Sequence, residues 1–172
     1  MKNVSLAFVL LIVSLLGACS GKQPTNEQNP VTSAKEEAAE EKATNTTTDV
    51  INDYIKLKDA LVASDANQAQ QVAVAMLEVI DAVQMPEIQQ NAKVIAATDE
   101  LSVQRTYFDS LSTNVYQMAK TAEADIPLLF WQFCPMAFDN RGAYWLSFQE
   151  EIRNPYYGDQ MLTCGRVEEE IK

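Results

Sequence analysis

Two short segments near the end of the chain concentrate its sulfur. Cys134-Pro135-Met136 and Met161-Leu162-Thr163-Cys164 set two thiols and two thioethers in mirror order, in a protein with three cysteines and no histidine. Thiolates bind soft, low-charge ions strongly. Thioethers add neutral donors that favour Cu(I) or Ag(I) over Zn(II) and keep working at low pH, where an imidazole would protonate. Pro135 stiffens the link between Cys134 and Met136, and Trp131, Phe133, Phe138, Tyr144 and Trp145 are placed to form a water-excluding shell. One reading is therefore a metal site made of Cys134, Met136, Met161 and Cys164. The other is simpler. The same two cysteines can form a disulfide, stabilising by roughly 3–4 kcal/mol on the loop-entropy model, with Met136 and Met161 as packing. A structural zinc fits poorly, because it takes four Cys or His ligands and two are present.

Which chemistry applies depends on the compartment. Lys2 followed by the apolar run Leu6–Leu16 and small residues up to Ala18 has the pattern of a secretory signal over residues 1–18, too short to span a bilayer. Leu16-Gly17-Ala18-Cys19 resembles a bacterial lipobox, so Cys19 is expected to carry lipid and to become the first residue of the mature protein. Several acyl chains on one residue anchor firmly. The expected location is the cell envelope, membrane-anchored and facing the periplasm, with Ser20 pointing to the outer rather than the inner membrane. Cys134 and Cys164 then remain as the only cysteines of the folded part, outside the cytoplasm, where disulfides persist.

Other functions are disfavoured. Without histidine the usual general base and most catalytic triads are missing, no glycine-rich phosphate loop occurs, and the CxxC spacing of redox enzymes is absent, so no enzyme is expected. A net charge of −11 makes nucleic acid an unsuitable partner. Asp53, Asp59, Asp65, Glu78 and Asp81 recur on polar faces without a tight pair and read as solvated surface.

The elements that must position the sulfurs are mostly helical. Residues 19–48 contain no aromatic residue and read as a flexible tether, although Ala34–Ala43 has local helical propensity. From Asp49 onward Ile51, Tyr54, Ile55, Lys58, Leu61 and Val62 recur at helical spacing. Asp65 is positioned to cap a second helix, whose stripe runs from Ala66 through Met76 to Val83 and ends at Met85-Pro86. A third helix is expected around Glu87–Ala97. A fourth opens at Asp99 and carries Leu101, Tyr107, Phe108, Leu111, Val115, Met118 and Ala119. Met76 and Met118 read as core. Beyond Ile126-Pro127 the periodicity breaks: Leu128–Phe133 reads as a strand leading into Cys134, and Ala143–Leu146 as its partner. Asn154-Pro155-Tyr156-Tyr157-Gly158 is a turn, and Asp159 is expected to cap a helical turn that aims Met161 and Cys164 the same way. The tail, Val167–Lys172, is a candidate edge strand. The expected fold class is mainly α, an up-and-down four-helix bundle with a small irregular or β C-terminal cap, residues 49–172 forming one domain.

Phe133-Cys-Pro-Met-Ala137, Gly142-Ala-Tyr-Trp-Leu-Ser147, Ile152-Arg-Asn-Pro-Tyr-Tyr-Gly-Asp159 and Met161-Leu-Thr-Cys-Gly165 resemble an uncharacterised-domain family of bacterial envelope lipoproteins (domain of unknown function, 3347 type). Tyr54–Leu61 and Tyr107–Tyr116 extend the resemblance upstream. Related domains are appended to periplasmic adaptors of CusB-like heavy-metal efflux pumps. The resemblance implies a helical domain that handles a soft ion, Cu(I) or Ag(I), through Cys134, Met136, Met161 and Cys164, for buffering or for delivery to efflux components. The adaptor's remaining domains are not recognised in this sequence, so the chain is not expected to bridge a pump by itself.

Overall fold

The computed structural model describes residues 30–122 and 126–172, with burial defined from residue 46 onward. The signal segment 1–18 and the lipidation expected at Cys19 lie outside the described residues. Helix α1 runs Pro30–Val62, so residues 30–48 of the expected tether continue α1 as helix. Proline is well suited to a first helical position, and the Ala- and Glu-rich composition that follows favours helix.

Helices α2 (Ala66–Val79), α3 (Pro86–Ala96) and α4 (Leu101–Thr121) follow across short connections. Each buries one stripe. Tyr54, Leu57 and Leu61 of α1, Met76 of α2, Ile95 of α3 and Phe108 and Leu111 of α4 are fully enclosed in one core. The caps explain the boundaries. Asp65 accepts a hydrogen bond from the Gln68 amide at 2.9 Å and opens α2. The second helix stops short of its expected end because the Asp81 carboxylate takes the amides of Val83 and Gln84, at 2.9 and 3.3 Å, into a turn. Val83, expected on the buried stripe, is 84% exposed.

The C-terminal part is a three-stranded antiparallel sheet in the order β2-β1-β3, made of β1 (Leu129–Cys134), β2 (Ala143–Ser147) and β3 (Arg166–Ile171). The central strand β1 is buried almost throughout, as a strand covered on both faces must be. A short helical turn, α5 (Ala137–Asn140), links β1 to β2. It carries Phe138, Asp139 and Asn140 at φ of 50, 58 and 68°, a left-handed path that L-residues adopt at a cost of roughly 1–2 kcal/mol each. The Arg141 guanidinium lies 4.8 Å from the Phe138 ring and reaches Asp109 of α4 at 3.2 Å, fastening this turn to the helices. The molecule is thus mainly helical, with a small antiparallel sheet at its C-terminal end.

Candidate functional site

Cys134 ends β1, paired across the sheet with Ala143, and is fully buried. Cys164 lies in the long connection between β2 and β3. Asn154, itself fully buried, knots this connection: its amide meets the Leu162 carbonyl at 2.8 Å, its Nδ2 donates to the Cys164 carbonyl at 2.9 Å, and its Oδ1 accepts from the Tyr156 amide at 2.8 Å. Gly165 makes the final approach possible. A Cβ there would stand 2.9 Å from the Trp145 ring and 3.0 Å from the Phe133 carbonyl oxygen. These constraints bring the Cys134 and Cys164 sulfurs to 2.8 Å, both as free thiols.

The two thioethers are placed differently. Met136 is 45% exposed. Its carbonyl accepts from the Tyr157 hydroxyl at 2.7 Å, and its amide hydrogen-bonds the Cys164 sulfur. Met161 is half-buried and follows a single 3₁₀ turn, Gly158–Gln160, whose carbonyl at Gly158 it engages. The expected helical turn carrying both Met161 and Cys164 is not formed. The 3₁₀ turn ends at Met161, and a separate non-helical turn, closed by the Cys164 amide on the Met161 carbonyl at 3.0 Å, leads to Cys164.

The expected aromatic shell is also divided. Side chains alternate along a strand, so Trp131 and Phe133 point to the face opposite Cys134. There they join a stacked row, Tyr116 on Trp131 at 4.4 Å, Trp131 on Tyr144 at 5.1 Å and Phe133 against Tyr144 at 4.3 Å. Trp145, opposite Gln132 in the register, shares the face of Cys134. Tyr157, which the sequence marked only as part of a turn, is the aromatic group beside the thiols. The Asn-Pro-Tyr-Tyr-Gly run was the available signal, since an asparagine before proline favours a side-chain-closed turn.

The electrostatics favour protonated sulfur. Burial, then the hydrogen bond and charge of Cys134, push the Cys164 thiol up to about 11, against a small opposing pull from the Met136 amide. Burial first, and then both sulfurs, raise the Tyr157 phenol above its ordinary value. Among the described residues no group of three or more His, Cys, Asp or Glu side chains could hold a metal ion. As arranged, the pair does not fit a shared ion: two sulfurs bound to one tetrahedral centre at about 2.3 Å stand about 3.8 Å apart.

Fold and site together define a helical domain whose small C-terminal sheet ends in a paired-cysteine site. Residues 50–126 match a family described as a protein of unknown function (DUF3347). The match covers the helical part of the domain from Val50 and stops before β1, so neither Cys134 nor Cys164 falls within it. No curated protein and no solved structure matches the chain.

Proposed function

We propose that this chain is a lipid-anchored envelope protein whose folded part is a disulfide-stapled, metal-free interaction module rather than an enzyme. The observation that carries this reading is the 2.8 Å separation of the Cys134 and Cys164 sulfurs. Closing a bond of about 2.05 Å takes a sub-ångström movement, whereas a metal requires the sulfurs to part. A metal ligand must also surrender its proton, and the Cys164 thiol, pushed up to about 11, resists that. Anchoring rests on the lipobox at Cys19. Among the described residues no helix is long and apolar enough to cross a membrane. Leu128, Tyr144 and Phe148 offer exposed apolar surface on the C-terminal lobe for a protein partner. The four long helices are read as an up-and-down bundle, since each packs on the next and α4 returns to α1.

A second reading, a soft ion such as Cu(I) or Ag(I) held for a heavy-metal efflux partner, is favoured by one observation. The flexible Met136 side chain is exposed while its backbone already touches Cys164. It requires the sulfurs to separate by about 1 Å.

Intact mass separates the two. Protein purified from the envelope without reductant is expected to run about 2 Da below the reduced mass, with neither thiol of the pair reacting. A full-mass chain that binds about one Cu(I), and loses it on Cys134→Ser with Cys164→Ser, overturns the staple and establishes the ion site.

A further inference from the structure

The two sulfurs touch each other but not the same surroundings. Cys134 is fully buried at the end of the central strand, with β2 beside it. Cys164 is half-buried in the connecting loop, next to the exposed Thr163. An incoming reagent therefore meets one sulfur before the other. We propose that the pair is a thiol–disulfide exchange site in which Cys164 receives an incoming disulfide and Cys134 resolves it. This deepens, and rests on, the stapled reading of the same two residues.

The chemistry balances without a cofactor. Cys164, as its thiolate, attacks one sulfur of a disulfide R–S–S–R. A bond forms from Cys164 to that sulfur, the old bond breaks, and one R–SH leaves after taking up a proton. Cys134 then loses its proton and attacks the Cys164 sulfur. The internal disulfide forms and the second R–SH departs. Two protein thiols are oxidised and one external disulfide is reduced to two thiols. Burial and Cys134 hold the Cys164 proton tightly and make the first attack slow, and the Met136 amide on the Cys164 sulfur offsets this only in part. The 2.8 Å approach of Cys134 puts the resolving sulfur within reach of the mixed disulfide. The reverse assignment requires the external disulfide to enter the interior to reach Cys134.

Access also defines the substrate class. Cys134 is enclosed while Cys164 is half-buried, so the approach is to the Cys164 sulfur, beside which the Tyr157 hydroxyl donates to the Met136 carbonyl at 2.7 Å. A half-buried sulfur suits a small disulfide, or one on an extended peptide, better than one embedded in a folded surface.

Full-length protein carrying Cys19→Ala, so that the pair alone reports, is reduced and mixed with glutathione disulfide. With Cys134→Ser, a glutathione adduct is expected to accumulate on Cys164. With Cys164→Ser, the adduct on Cys134 is expected to form at least ~10-fold more slowly, and the unsubstituted pair should pass on to the internal disulfide. A brief pulse of iodoacetamide on the reduced pair gives the same order without touching either residue. Trypsin places Cys164 in the peptide 154–166 and Cys134 in 121–141, and label is expected first on the former. Equal or reversed rates overturn the assignment of roles while leaving the staple intact. If no internal disulfide forms under any oxidant, the stapled reading falls and the exchange site falls with it.

Discussion

Cys164 differs from an ordinary cysteine chiefly in how tightly it keeps its proton. Its thiol is raised from 9.0 to about 11, first by burial and then by its partner Cys134. A proton held more tightly in the folded than in the unfolded chain contributes stability that is fully present below about pH 9 and is lost as pH rises through about 11. Only the reduced protein has this thiol to titrate. Buried tyrosines such as Tyr54 and Tyr156, both raised by burial, titrate alike in the two forms and cancel in the difference. The urea midpoint of the reduced protein is therefore expected to fall away from that of the oxidised protein between about pH 9 and 11, with a constant gap below that range. A gap that stays constant across the whole range would mean that the sulfurs do not share the environment described. The pairing itself was open to sequence reasoning, because two cysteines in a folded part expected from its leader pattern to be exported have few fates. The role of Asn154 was not legible. A buried asparagine that spends its amide, Nδ2 and Oδ1 on one loop looks, in sequence, like any turn residue.

At the scale of elements, the connection from β2 to β3 positions the thiols, and it is held from outside by α4. The Arg105 guanidinium donates to the Pro155 carbonyl at 2.8 Å, to the Leu61 carbonyl at the end of α1 at 3.2 Å and to the Ser64 hydroxyl at 2.9 Å. Gly158 lies in the same corner with φ of +55°, and a Cβ there would come within 2.5 Å of the Ser64 hydroxyl and 2.9 Å of the Val62 carbonyl oxygen. Gly158→Ala is accordingly expected to destabilise by ~1–3 kcal/mol. Arg105→Ala is expected to cost roughly 2–3 kcal/mol, since it leaves partly buried acceptors without their charged donor. Both should also speed alkylation of Cys164, which loosening of this loop exposes. Denaturant melts and thiol labelling check the pair of effects, and a stability loss without faster labelling would separate the corner from the thiol site. Helix positions were well marked by apolar spacing from Ile51 to Val115. Their ends were less so. Asp65 announced itself as a cap, whereas Asp81 looked like one more surface carboxylate until its two backbone hydrogen bonds ended α2.

Across the whole molecule, one hydrophobic core ignores the boundary at residue 126 where the family match ends. Tyr54 of α1 stacks on Phe108 of α4 at 5.1 Å, Phe108 meets Tyr156 at 5.9 Å, and Tyr156 meets Trp145 of β2 at 6.0 Å. The polar contacts cross it too. The Tyr54 hydroxyl binds Ser112 at 2.7 Å and accepts from the Leu146 amide at 3.1 Å, while the Tyr156 hydroxyl donates to the Tyr144 carbonyl at 2.5 Å. Two tyrosines thus occupy outward-facing backbone groups of β2, which removes one exposed sheet edge. Such long-range pairings were invisible in the periodicity of either half, which reports only that each half has an apolar face. They determine what the helical part can do alone. A chain ending at residue 126 would expose the walls around Tyr54 and Phe108 and leave the hydroxyl of Tyr54 without its strand partner. It is expected to keep helical circular dichroism, bind a hydrophobic dye and melt without a cooperative transition, the behaviour of a compact state that has lost its specific packing. A sharp, two-state melt of that fragment would show instead that the sheet is an appendage, and that the thiol site was added to a bundle already stable without it.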